Sequence, residues 1–254
     1  MVLHYKTEGL VFKREDSFDA DRNFSIFTKD FGRLEVFGKA IRKINSKLRG
    51  GIELFSICDI EFIQGRNKKT LTDANFLKRF KNIFSSLIML ETAHRISQLA
   101  DNFIKGEGPD EQVWGLLVDA FEKLNHYQLQ ENQCQLVYNY FFWNFVSVLG
   151  YKPELSSCAN CSQKLNPYEL YFSNREGGVI CKNCYLSKKD SSDRSGQAIK
   201  VKSDIIKVLR LILNKDWDLL SRLKIEDGVE KSLQEVSDNY YSYLKSNLTA
   251  NLIG

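Results

Sequence analysis

The chain lacks the features that mark secretion, membrane insertion or the common catalytic devices. Its start, MVLHYKTEGLVF, has no charged segment leading into an apolar run, because Lys6 and Glu8 interrupt it; this argues against a signal peptide. The longest apolar-rich stretch, Leu136 to Leu149, is fourteen residues and contains Asn139 and Asn144, well short of the about 20 residues that span a bilayer. Both absences point to the cytoplasm, where thiols stay reduced. Histidine is scarce: His4, His94 and His126 lie far apart and share no ligand spacing. Gly50-Gly51 and Gly177-Gly178 read as turns, without the spacing of a phosphate-cradling loop. No nucleophile–base set stands out, and Asp16, Asp19 and Asp21 read as turn formers ahead of a weak Mg²⁺ site. The expectation is a protein that is not an enzyme. There is no internal repeat.

Acidic residues are also missing from one place that matters. Between Val36 and Ile52 the chain carries Lys39, Arg42, Lys43, Lys47 and Arg49 and no Asp or Glu. Residues 1–80 hold 16 Lys and Arg against 11 Asp and Glu, a net of +5, while the remainder holds 20 against 21. The whole basic excess therefore belongs to the first third of the 254 residues, which suggests a polyanion site there. Arg66, Lys68 and Lys69 would extend it. Phe24, Phe27, Phe31 and Phe37 are candidates for base stacking, although alternation favours core packing for them.

The first eighty residues read as short strands. One strand lies around Leu10 to Lys13, followed by an acidic loop from Glu15 to Asp21. Phe24, Ile26 and Thr28, then Leu34 and Val36, alternate around a Lys29-Asp30-Phe31-Gly32 turn, as a hairpin does. Further strands follow at Ile52 to Gln64 and Thr70 to Ala74. Five strands with a Gly-flanked basic loop between the third and fourth fit an oligonucleotide/oligosaccharide-binding (OB) barrel. From Leu77 the apolar period becomes 3.6 and predicts a helix or helix pair to Ile104; Pro109-Asp110-Glu111 opens another. Gln133 to Leu149 is apolar on all faces, the pattern of a buried central helix. Ser187 to Gln197 is a polar linker, and an amphipathic helix runs through Val229, Leu233, Val236, Tyr240 and Leu244. The fold class expected is α+β: a five-stranded OB barrel over 1–76, a helical domain over 77–155 and 187–254, and a four-cysteine insertion over 156–186.

Four of the six cysteines form two Cys-x-x-Cys pairs: Cys158 with Cys161, and Cys181 with Cys184. Four thiolates complete a tetrahedral shell, which makes one structural zinc the leading reading. A redox pair would open a helix beside a strand, and neither pair reads as placed that way; a disulfide pair conflicts with a reducing compartment; both remain alternatives. The segment is too short to fold on apolar burial alone, so metal would supply its folding free energy. Cys58 and Cys134 sit singly among apolar residues and read as core fillers.

These residues together resemble the RecO family of bacterial recombination mediators. The likeness rests on EGLVFKREDSFDADRNFSIFTKDFGRLEVFGKAIRK and SKLRGGIELFS in the barrel, and on LGYKPELSSCANC and YFSNREGGVICKNC in the second half. Two departures stand out. Gly38 and Ala40 are exchanged relative to the usual pattern, and Ser162 stands where glycine commonly follows the second cysteine. The resemblance implies DNA repair in the bacterial cytosol or nucleoid through single- and double-stranded DNA binding and strand annealing. It also implies partnership with RecR, binding of the C-terminal tail of single-strand binding protein (SSB), and loading of RecA. For such a tail, a helix over Leu77–Ile104 with Phe80, Phe84 and Leu87 beside Lys78, Arg79 and Lys81 is a candidate receptor. From the residues alone, an RNA-binding barrel protein or a metal-dependent nuclease stays open.

Overall fold

The computed structural model describes residues 3–104, 106–126, 129–188 and 198–251, in two compact units, Met1–Cys134 and Gln135–Gly254. Most of the predicted polar linker, 189–197, lies outside the described residues. Among the described residues no helix is long and apolar enough to cross a membrane.

In the first unit β1 (His4–Ser17), β2 (Asp21–Thr28), β3 (Gly32–Gly38), β4 (Ser56–Gln64) and β5 (Lys69–Arg79) form the sheet. It closes as a barrel in the order β1-β2-β3-β5-β4, with β3 and β5 parallel and the other pairs antiparallel. This is the OB-like arrangement expected. Val11, Phe24, Ile26, Leu34, Val36, Ile60 and Phe62 fill the interior. Leu10, Phe12 and Phe27, outside that cluster, are equally buried, so the alternate positions of β1 and β2 are covered as well. Helices α1 (Leu87–Phe103) and α2 (Glu111–Leu124) follow. Asp110 caps α2 by accepting from the Val113 N–H at 3.0 Å, and Arg33 on β3 ties to Asp101 on α1 at 2.7 Å.

Three local expectations are corrected. The first strand is fourteen residues long, so Glu15 and Asp16 lie on β1 and Asp21 opens β2, and the acidic loop shrinks to a tight turn. β5 runs to Arg79, pairing Lys78 with Ile57 and Arg79 with Ser56. The helix predicted from Leu77 therefore starts only at Leu87, after a 3-10 turn over Lys81–Ser85. Two register shifts between β4 and β5 break strict alternation, which is why the strand's second half reads with another period. With Phe80 fully buried and Lys78 paired to Glu122, the cations and apolar residues of the predicted tail receptor do not share one helix.

In the second unit, α3 (Glu131–Val148) begins before the division and is buried on nearly every side. The Trp143 indole N–H donates to Ser237 at 2.9 Å, and its ring stacks on Tyr240 at 5.2 Å. β6 (Leu170–Ser173), β7 (Gly178–Cys181) and β8 (Ile199–Val201) form a sheet in the order β7-β6-β8, and α4 (Lys182–Lys188) follows β7. α5 (Ser203–Leu213), the short α6 (Trp217–Leu220) and α7 (Asp227–Asn251) complete the unit. Val229, Leu233, Val236, Tyr240 and Leu244 are all buried, as the amphipathic spacing requires.

Candidate nucleic-acid interface and metal centre

The basic loop between β3 and β4 is built from its apolar residues outward. Ile41 and Ile52 are buried in the barrel cluster, with Leu48 packed against it. Gly51 lies so close to β5 that a Cβ there would fall 1.7 Å from the Ala74 carbonyl oxygen; only glycine permits that approach. The Ala40 N–H donates to the Asp21 carboxylate at 2.7 Å, and the Arg42 N–H to the Ala20 carbonyl at 2.9 Å. Ala40 adopts a φ of 53°, the left-handed conformation that glycine takes more readily, so the exchange with Gly38 carries a local strain.

Lys39, Arg42, Lys43, Lys47 and Arg49 are all exposed on this anchored loop. Arg42 lies 3.4 Å from Asp16, which also accepts from Arg22 at 2.7 Å. Exposed pairs of this kind contribute little, so Arg42 can exchange Asp16 for a phosphate at small cost. Asp16 itself is held below the usual carboxylate range, first by the Arg22 hydrogen bond and then by the charges of Arg22, Arg42 and Arg14. Of the candidate extensions, Arg66 is exposed, Lys68 sits 3.3 Å over the Phe37 ring, and Lys69 pairs with Glu107. Phe24, Phe27 and Phe37 are buried, and Phe31 packs edge-on against Tyr5 and Phe62; their role is core packing. His94 meets the Phe55 ring edge-on at 5.1 Å. Cys58 and Cys134 are fully buried, and burial pushes the Cys134 thiol up to about 11.

The sulfurs of Cys158, Cys161, Cys181 and Cys184 all lie within 4.8 Å of one another, the one such cluster of metal-capable side chains among the described residues. A tetrahedral metal with bonds of about 2.3 Å separates its sulfurs by about 3.8 Å, and Cys161 and Cys181 stand 3.8 Å apart. The donor set fits a metal. The pairs are set by two different local structures. In the turn after Cys158 the Ser162 N–H donates to the Cys158 carbonyl at 2.8 Å. Cys181 ends β7 and Cys184 lies in the first turn of α4, so the second pair opens a helix directly after a strand, a placement its spacing does not suggest, and the Cys181 N–H points at the Cys158 sulfur at 3.3 Å. Burial pushes the Cys158 thiol up, but the N–H groups of Cys181, Cys161 and Asn160 outweigh it and draw the thiol down to about 6. The Asn160 amide favours the Cys184 thiolate, yet burial and the other sulfurs push that thiol up to about 12. Four crowded thiols resist ionising together; a dication removes that resistance. The Glu154 backbone lies against the start of β7, so close that a Cβ on Gly178 would sit 2.3 Å from the Glu154 carbonyl oxygen.

Ser162 holds a φ of 59°, which explains why glycine suits this position. Ser162→Gly is expected to stabilise the metal-loaded protein by about 0.5–1 kcal/mol, relief of left-handed strain less the entropy glycine loses on folding. A calorimetric melting temperature checks it; a drop in the glycine variant contradicts it.

Sequence reasoning misses two exposed apolar side chains, Phe18 at the β1–β2 turn and Ile44 on the basic loop. In sequence Phe18 falls in an acidic stretch and Ile44 in a charge run, and only the solvent exposure of each separates them from ordinary core residues.

Comparison with known proteins adds the family. The family model described as "Recombination protein O N terminal" matches residues 1–80, and "Recombination protein O C terminal" matches residues 85–246. The chain is 34% identical over 230 residues to "DNA repair protein RecO" of Dehalococcoides mccartyi, covering 91% of this chain and 86% of that protein. It is 26% identical to the protein of the same name from Roseiflexus sp. over 94% of this chain and 81% of that one. For the one from Thermoanaerobacter sp., identity is 26% over 96% and 92%. With both family models matching in order, and together spanning barrel, helices and four-cysteine segment, this chain belongs to the recombination protein O family.

Proposed function

We propose that this protein acts in DNA repair as a DNA-binding recombination mediator of the bacterial cytosol, without catalytic chemistry of its own. The observation that carries the reading is the loop bearing Lys39, Arg42, Lys43, Lys47 and Arg49, all exposed on a backbone anchored to an OB-like barrel. Lys and Arg on such a loop neutralise phosphates and read no base edges, which suits a protein that anneals strands of any sequence. Family membership supports the finer assignment: annealing of complementary strands, partnership with RecR and the SSB tail, and delivery of RecA to coated single strands. Cys158, Cys161, Cys181 and Cys184 would hold one structural zinc, which folds the 156–186 segment and takes no part in strand chemistry.

The test is salt dependence. If all five basic residues meet phosphates of a single strand, log K against log salt falls with a slope of about −3.5, at about −0.7 per contact. The double variant Lys39→Ala, Arg42→Ala is expected to flatten that slope by about 1 to 1.5 units, measured by fluorescence anisotropy with labelled oligonucleotides. An unchanged slope and affinity would move the site elsewhere. RNA of equal length, run alongside, is expected to bind more weakly; equal or tighter RNA binding would favour RNA handling. Capture of purified RecR and SSB by the immobilised protein tests the partners.

A further inference from the structure

The tip of the β1–β2 hairpin holds an aromatic ring out in solvent. Ser17 pairs with Asp21, so Phe18, Asp19 and Ala20 alone reverse the chain. Phe18 has a φ of 52° and is 85% exposed. Left-handed backbone disfavours any side chain with a Cβ, and Gly or Asn would turn the chain with less strain. An exposed phenylalanine adds no burial in return. Neither turn chemistry nor packing accounts for a large apolar residue here, whereas strain and exposed apolar surface together characterise binding loops.

Its surroundings are those of the basic loop. The Ala20 carbonyl accepts from the Arg42 N–H, and the Asp21 carboxylate accepts from the Ala40 N–H, so the hairpin tip and the start of the basic loop are tied at two points. Ile44, on the same loop and next to Lys43, is 93% exposed. The nearby carboxylates are largely engaged. Asp16 takes Arg22 and Arg42, Glu15 takes Lys13 at 2.9 Å, and Asp21 takes the Ala40 N–H. Asp19 is exposed at the tip. Apolar tips set among cations match the two surfaces of single-stranded nucleic acid, bases and phosphates.

We propose that Phe18 is a base-stacking residue of the DNA interface. An unstacked base of a single strand lies on its ring, Arg42 and Lys43 hold the adjoining phosphates, and Ile44 supplies a second apolar contact. This rests on the reading of the barrel as DNA-binding and adds what phosphate contacts lack: a preference for unpaired over paired strands, because a duplex keeps its bases stacked on each other.

Three proteins, wild type, Phe18→Ala and Phe18→Asn, are titrated with a labelled single-stranded oligonucleotide and a duplex of the same length. Both variants are expected to bind the single strand roughly tenfold more weakly, which is about 1.4 kcal/mol, with an unchanged salt slope and little loss for duplex. Melting temperatures should hold for Phe18→Ala and hold or rise for Phe18→Asn, since asparagine tolerates the left-handed turn. Asp19→Asn should tighten both ligands. Phe18→Trp should bind as wild type does and show quenching on strand addition beyond that of the native tryptophans. Single-strand affinity unchanged in both variants, with wild-type protein binding normally, would overturn the stacking role alone. Absence of binding by wild type at low salt would overturn the DNA reading and this inference with it.

Discussion

Changing Cys158 to Ser, or stripping metal from the four-thiolate cluster with a strong chelator, is expected to unfold the segment around residues 156–186. Apparent binding energies for structural zinc in small finger peptides reach about 10 kcal/mol and more, larger than any single packing contact here. Among the described residues, Ile180 is the one buried side chain clustered with Cys158 and Cys184, with Ala159, Leu165, Tyr171 and Tyr185 partly buried against them, too little apolar burial to offset the entropy of ordering some thirty residues. The other face of the sheet is better supported, since Phe172 packs edge-on against Trp143 and Tyr240. Loss of metal should therefore loosen the thiolate side first and expose new protease sites near the cysteines. Elemental analysis of protein purified without chelator should return about one zinc per chain. Limited proteolysis and circular dichroism, with and without chelator, check the rest. Identical digestion patterns and melting curves in both states would show that the cluster folds without metal.

The second large effect is expected at Trp143→Ala on α3. The ring is fully buried, stacked on Tyr240 and edge-on to Phe142 and Phe172. Removing a buried tryptophan leaves a cavity and costs about 3–5 kcal/mol. The Ser237 hydroxyl loses the indole donor but keeps Asn139 and the Leu233 carbonyl as acceptors, so the loss is mostly packing. Trp143→Phe, which retains a ring, should lose markedly less. Urea unfolding at constant m-value measures both. A loss under about 1 kcal/mol for the alanine variant would mean that the site collapses around the gap.

Features set by local chemistry were legible in the sequence. The Phe24-to-Val36 hairpin follows from alternation around one turn, and the buried faces of α3 and α7 follow from periodicity. The four cysteines declare themselves by spacing, and the basic loop by the absence of any acid. What was not legible depends on pairing across the sheet. β5 runs past Ala74 to Arg79 because β4 lies beside it, while its own residues suggest a helix. Asp16 and Asp21 read as an acidic loop, yet one meets Arg22 and Arg42 and the other caps the Ala40 N–H. Phe18 resembles any core phenylalanine until the turn beneath it is known. Sequence spacing also cannot show that Ala40 and Ser162 carry left-handed backbone; the two departures from the family pattern noted at those positions gain their meaning only from the dihedral angles.

Lysine footprinting shows whether DNA lies on the basic loop of the barrel. The protein is acetylated under limiting reagent with and without a saturating single-stranded oligonucleotide, and each lysine is quantified by mass spectrometry. Lys39, Lys43 and Lys47 should be protected by the strand, while the exposed Lys164, Lys207 and Lys224 of the second unit should react equally in both samples. Protection confined to the second unit, with Lys39, Lys43 and Lys47 fully reactive under saturating DNA, would contradict the assignment.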